Sequence, residues 1–211
     1  MDKSFSLAHQ VYKRMEQAII TEEIPSGTEL TEMGLSARYG VSRTPIREAV
    51  AMLEQEDLVE STGKKIVVLG VSKQDILDLA DIRIAIEGKA MALAAKNIGA
   101  QGIKELEDIL QMQQFYIEQN DSEKISKMDS EFHFTIYKHC GSRIYGKTLT
   151  DLHRKMARYR EISVKSRPRA VKSGEEHQRI LEAIKAHDAG LALLLGTEHA
   201  TKAKQRLLEE D

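Results

Sequence analysis

The sequence is poor in the residues that cross-link or stiffen a chain. Its 211 residues include one cysteine, no tryptophan and three prolines, and aromatic residues make up 5%. A single cysteine, Cys140, excludes an internal disulfide framework and is typical of a reducing compartment. The sequence contains no run of about 18 apolar residues, so we do not expect a membrane span. We also expect no signal peptide, because the N-terminal segment lacks an apolar core. We therefore expect a cytoplasmic protein with aliphatic helix packing.

A generally basic domain is also absent. The whole chain has a net charge of −2, and residues 1–70 contain eight Lys/Arg against eleven Asp/Glu, a balance of −3. Positive charge is instead local, because Arg38, Arg43 and Arg47 lie in the window 36–47, which contains no acid. Any contact with a polyanion must therefore be made by a small surface.

The run SRTPIREA at 42–49 has the features of a helix that presents arginines. Ser42 or Thr44 can cap its first turn, and Pro45 is tolerated there because no N–H is needed. Arg43 and Arg47 are four residues apart and project from one side. The opposite side is apolar and comprises Ile46, Ala49, Val50 and Leu53. Such a helix suits a DNA major groove.

The flanking segments predict a winged helix-turn-helix over residues 1–70. Residues 6–22 have the helical period, and a second short helix over 31–39 is capped by Thr31 and ended by Gly40. Two short strands are predicted at 58–61 and 65–69, joined by a turn at 62–64.

The stretch 40–49, followed by Leu53 and the pair 58–59, resembles the GntR family of bacterial transcription regulators. Two departures are visible: Met33 replaces a polar residue common in the family, and Asp57 replaces a glycine. Aspartate tolerates a left-handed conformation, so the departures concern base preference rather than fold. The resemblance implies DNA contacts by Arg38, Ser42, Arg43, Thr44, Arg47 and, at the wing tip, Gly63.

Residues 71–211 predict a second, all-helical domain. About six helices with short links are typical of an antiparallel bundle. The third helix is capped by Asp121 and the fourth by Ser142. A polar loop is expected around Pro168 and Gly174, with His177 at the start of the helix that follows. The fold class is therefore mainly α.

Four potential metal ligands lie on apolar faces of this bundle. Asp129 and His133 are four residues apart on the third helix, His177 is on the fifth and His199 on the last. Neutral imidazoles with one carboxylate suit Zn²⁺, Ni²⁺ or Mn²⁺. Spacing alone leaves two other interpretations open: hydrogen-bonded core histidines, and an Asp–His pair that stabilises its own helix.

The pattern Asp129-x-x-x-His133, Glu176-His177 and His199 resembles the FCD effector domain of the FadR subfamily over nearly all of residues 73–207. The resemblance implies that the aspartate and the three histidines bind a divalent metal. Arg83 lies on the first predicted helix of this domain, beside its apolar face, which includes Leu79 and Ile86. Its side chain either reaches solvent along an aliphatic stem or binds an effector carboxylate.

We therefore expect a homodimeric regulator that binds double-stranded operator DNA and responds to a small carboxylate. Two alternatives remain. In one, the metal ion itself is the effector. In the other, a metal-dependent hydrolase is fused to a DNA-binding head. The sequence has no nucleophile-elbow, phosphate-binding glycine loop or paired catalytic carboxylates, so we do not expect an enzyme.

Overall fold

A computed structural model describes residues 6–62, 65–157 and 167–209 of the protein. The chain forms two compact units, Met1–Lys73 and Gln74–Asp211. Helices dominate the described residues, as the periodicity predicted. None of these helices has the length and hydropathy needed to cross a membrane.

The N-terminal unit has three helices and a three-stranded antiparallel sheet among its described residues. The helices are α1 (Leu7–Ile20), α2 (Glu32–Tyr39) and α3 (Arg43–Glu54), and the strands are β1 (Glu29–Leu30), β2 (Val59–Ser61) and β3 (Ile66–Val68). The central strand is β3, with Ile66 opposite Leu30 of β1 and Ser61 of β2. The two predicted wing strands are present, whereas β1 was not anticipated.

Local capping explains where the short helices begin and end. The Thr31 hydroxyl accepts a hydrogen bond from the Gly34 amide at 3.1 Å, and Gly40 ends α2 with φ +67°. Of the two residues predicted to cap α3, Ser42 occupies the N-cap position, but its side chain makes no capping hydrogen bond. Asp57 adopts the left-handed conformation, φ +55°, that the family's glycine would occupy.

The N-terminal core forms where α1 packs on α3. Met15 of α1 and Ile46 and Leu53 of α3 are completely buried. The predicted apolar side of α3 therefore lies in the core, and its arginine side lies at the surface.

The C-terminal unit contains six helices among its described residues, in agreement with the expected bundle. They are α4 (Lys73–Asn97), α5 (Ala100–Gln119), α6 (Ser122–His139), α7 (Arg143–Lys155), α8 (Arg167–Lys185) and α9 (Ala189–Glu209). Asp121 and Ser142 cap α6 and α7 as predicted. The prediction of a loop around Pro168 and Gly174 is wrong, because both residues lie within α8. Proline is tolerated in a first turn, so the helix begins earlier and His177 lies in its middle.

Two glycines set the distance between α4 and α9. A Cβ atom added at Gly196 would lie 3.1 Å from the Gly88 Cα, and one added at Gly88 would lie 2.5 Å from the Leu193 carbonyl oxygen. The two backbones therefore meet where neither residue has a side chain. This close crossing positions Glu87 of α4 and His199 of α9 near the same buried centre.

Candidate metal centre and nucleic-acid interface

Three histidines from three helices converge inside the C-terminal unit. His133 lies on α6, His177 on α8 and His199 on α9, with exposed fractions of 0%, 0% and 4%. One potential ligand atom from each residue lies within 4.8 Å of the other two. The structure thus brings together all three of the histidines that the sequence singled out.

Each imidazole is held by a polar neighbour on its Nδ1 side. The pairs are His133 with Glu87 Oε1 at 2.9 Å, His177 with Gln113 Oε1 at 3.1 Å, and His199 with Glu176 Oε2 at 2.8 Å. The ring of His133 is not aligned for a regular hydrogen bond, so its contact with Glu87 is mainly electrostatic. Such neighbours orient metal-binding histidines and leave Nε2 as the ligand atom.

Asp129, the fourth predicted ligand, lies beside this cluster. Its exposed fraction is 5%, and its Oδ1 lies 3.7 Å from Nε2 of His177. The Ser173 hydroxyl donates to the same carboxylate oxygen at 3.4 Å. The 3.7 Å between Asp129 Oδ1 and His177 Nε2 lets these two atoms bind one ion at ligand distances of about 2.0–2.2 Å.

The His177 Nε2 atom provides the test of whether the cluster fits a metal. It is buried and has no hydrogen-bond partner among the described residues. An unsatisfied buried nitrogen is destabilising by about 1–3 kcal/mol unless a ligand satisfies it. The His177 Nε2 atom lies 3.7 Å from Oδ1 of Asp129, and its imidazole is one of the three that could hold a metal ion.

Burial also favours the neutral form of two of the imidazoles. It lowers the pKa of His177 well below its usual value and lowers that of His133, although the Glu87 carboxylate partly opposes the second shift. Neutral imidazoles are the form that binds metals. For Glu176, burial would raise the pKa, but the hydrogen bond from His199 and nearby cations lower it to about 2.

Arg83 does not reach solvent, which contradicts the first of its two interpretations. The residue is 3% exposed, and its Nε and Nη2 donate to the two carboxylate oxygens of Glu87 at 2.7 and 3.0 Å. The same Nη2 lies 3.5 Å from Nε2 of His133. A cationic group therefore borders the candidate metal ligands.

Glu87 is the residue that sequence reasoning missed. It is fully buried, binds Arg83, contacts His133 and accepts a hydrogen bond from the Tyr137 hydroxyl. Burial would raise its pKa, but the charge of Arg83 keeps it well below the usual value. The signal was available, because Arg83 and Glu87 are four residues apart on a mostly apolar helix.

His153 of α7 is a second residue that was missed. It is fully buried, and its ring centroid lies 4.9 Å from that of His133. Its ring also meets Phe134 edge to face. The residue therefore supports the ring of His133 but does not belong to the group of converging ligand atoms.

The predicted DNA-contacting residues lie on the surface of the N-terminal unit. The exposed residues of this set are Arg38, Ser42, Arg43, Thr44 and Arg47. The first lies near the end of α2, and the others lie at the N-cap and in the first turns of α3. Gly63, the predicted wing contact, lies outside the described residues.

Three cations of this unit are paired with surface glutamates. The pairs are Arg38 with Glu23 at 2.5 Å, Arg47 with Glu32 at 2.7 Å, and Lys65 with Glu29 at 2.6 Å. All six side chains are exposed or half-buried. Exposed ion pairs of this kind are weak, so a competing anion can displace the glutamates.

Two family models match the chain, one for each unit. Residues 7–68 match "Bacterial regulatory proteins, gntR family", and residues 78–202 match "FCD domain". The second match alone covers more than half of the chain.

Relatives with assigned names are similar over most of their length. The Nta operon transcriptional regulator of Aminobacter aminovorans is 31% identical over 87% of this chain and 86% of its own. The gluconate operon transcriptional repressor of Bacillus licheniformis is 29% identical over 85% and 76% of the two chains. The structure of E. coli McbR/YncC has a TM-score of 0.81 at 23% identity, covering 98% of this chain and 99% of its own.

Proposed function

Because this chain belongs to the GntR family of bacterial regulatory proteins and carries an FCD domain, we propose that it controls transcription in response to a small organic acid. In this proposal residues 1–70 bind operator DNA and residues 71–211 bind the effector. The family consists of transcription regulators rather than enzymes, so the hydrolase alternative is not needed.

We propose that a homodimer places two α3 helices in major-groove half-sites of a pseudo-palindromic operator. Arg43, Thr44 and Arg47 would contact bases or adjacent phosphates, while Arg38 and Ser42 contact the backbone. Gly63 would allow the wing tip to approach the duplex. The exposure of the five described residues of this set, all within residues 38–47, supports this assignment. A DNA target places the protein in the cytoplasm.

The convergence of three buried histidines is the observation that carries the proposal for the C-terminal unit. We propose that Asp129, His133, His177 and His199 hold one divalent ion, with Zn²⁺, Ni²⁺ and Mn²⁺ as the candidates. A bound ion would supply open coordination positions for carboxylate and hydroxyl oxygens. The neighbours of the three Nδ1 atoms would fix the rings.

Arg83 supports a carboxylate as the effector. Its guanidinium lies 3.5 Å from a candidate metal ligand, so a metal and this arginine would place two positive groups close together. An anion between them would relieve that repulsion, and the Glu87 contacts leave Nη1 of the arginine for it. The gluconate operon repressor is named for the operon of a small hydroxy-carboxylate, which is consistent with this class.

Substitution of His177 tests the metal assignment. We expect His177→Ala to lose its metal but remain folded, as measured by elemental analysis and circular dichroism of the purified chain. His139→Ala is the matched control, because His139 is a partly exposed histidine of α6 outside the cluster and pairs with Glu105. Equal metal content in His177→Ala and the parent would refute the assignment.

Operator binding separates the two kinds of effector. An acid-responsive regulator changes its operator affinity only when metal and carboxylate are both present, by a coupling of about 1–3 kcal/mol. A metal-responsive regulator changes it with the metal alone. Fluorescence anisotropy of labelled operator DNA, with and without each component, distinguishes these outcomes.

A further inference from the structure

A cationic cleft lies between α8 and α9, next to the histidine cluster but separate from it. Its volume is about 460 Å³, which lies within the range of small-molecule sites. The charged residues of its lining are Lys172, Glu175, Glu176, Arg179, Lys202 and Arg206. Four cations against two acids give the lining a net charge of +2.

One of the two acids, Glu176, contacts His199 as well as two cations of the cleft. The Glu176 Oε2 atom contacts Nδ1 of His199 at 2.8 Å, while its Oε1 lies 3.2 Å from Lys202 Nζ and 3.9 Å from Arg206 Nη1. Among the described residues, Lys172 and Arg179 form no ion pair. The cleft therefore has more positive charge than its own acids neutralise.

We infer that this cleft binds the phosphate group of a small metabolite. A phosphate group carries a charge of about −1.5 to −2 near neutral pH, which matches the excess charge of the lining. The guanidinium of Arg179 can bind two phosphate oxygens with its planar fork, and Lys172 and Lys202 add compact charges. Arg206 and Glu176 are largely buried, with side chains 18% and 14% exposed, so they form the inner wall of the cleft.

Glu176 connects this cleft to the candidate metal ligands. A phosphate that attracts Lys202 and Arg206 leaves the Glu176 carboxylate with His199 as its main partner. The stronger contact makes the His199 imidazole a better metal ligand, since neighbours of this kind change metal affinity by about 10–100-fold. Phosphate and metal should therefore strengthen each other's binding reciprocally. This coupling rests on the proposed function, whereas phosphate binding itself does not.

The first experiment uses the full chain without metal. Isothermal titration with inorganic phosphate, at an ionic strength kept constant with chloride, should give saturable binding. Arg179→Gln and Lys172→Gln should each weaken it by about tenfold. Arg143→Gln, which removes an exposed arginine of α7 outside the cleft, should leave it unchanged. Absence of saturable binding, or equal losses in all three variants, would overturn the inference.

The second experiment measures Zn²⁺ affinity by competition with a chelator, with and without phosphate. We expect phosphate to raise the Zn²⁺ affinity of the parent and not that of Arg179→Gln. A gain that persists in the variant would mean that phosphate binds the metal directly, which overturns the coupling. Failure to bind Zn²⁺ at all would refute the proposed metal site but leave the first experiment intact.

Discussion

Replacement of Glu87 by alanine tests the buried electrostatics of the C-terminal unit. The carboxylate accepts two hydrogen bonds from Arg83 and one from Tyr137, and no part of it reaches solvent. Glu87→Ala leaves a buried guanidinium without its counter-charge. Removal of one partner of a buried ion pair typically lowers the free energy of unfolding by about 3–5 kcal/mol. We expect a loss of this size in urea unfolding of the metal-free chain, followed by circular dichroism.

The controls for Glu87→Ala use one exposed residue and one double substitution. Glu131→Ala removes an exposed carboxylate of α6 and should change stability by less than about 0.5 kcal/mol. The double variant Arg83→Met with Glu87→Leu removes both charges, so it should be more stable than Glu87→Ala alone. If the double variant is no more stable than the single one, an orphaned charge is not the cause of the loss, and the reasoning fails.

Three further predictions concern both units. Arg47→Ala should weaken operator binding by about tenfold at fixed salt, measured by fluorescence anisotropy, and unchanged affinity would contradict its role in DNA contact. Gly88→Ala should lower the melting temperature, because its Cβ would lie 2.5 Å from the Leu193 carbonyl; an unshifted melting curve would show that the α4–α9 crossing is loose. A chelator should lower the melting temperature of metal-loaded parent but not of His177→Ala, since a ligand bound only by the folded state stabilises it.

Residue periodicity and capping predicted most of the fold because they act over a few neighbouring residues. Thr31, Gly40 and Asp121 mark helix ends as expected, and the apolar stripe of α3 lies in the core. The two-residue strand β1 was missed because its pairing with β3 depends on a partner distant in sequence. Pro168 was misleading because proline both ends helices and begins them.

The sequence predicted which residues form the candidate site, but not the distances and contacts between them. His133, His177 and His199 could be named from the sequence, whereas their distances depend on how α6, α8 and α9 pack. Glu87 was overlooked because a glutamate on a long helix is usually a surface residue. Only the packed structure shows that Glu87 is fully buried and that it contacts His133 as well as its helical neighbour Arg83.

The glutamates that pair with Arg38, Arg47 and Lys65 have a consequence for the response of this protein to ionic strength. DNA releases condensed counterions when protein cations contact its phosphates, and this release makes affinity depend on salt. Here each glutamate displaced by a phosphate would itself attract a cation from solution. Fewer ions are then released overall, so affinity should decline less steeply with added salt than three unpaired cations would predict.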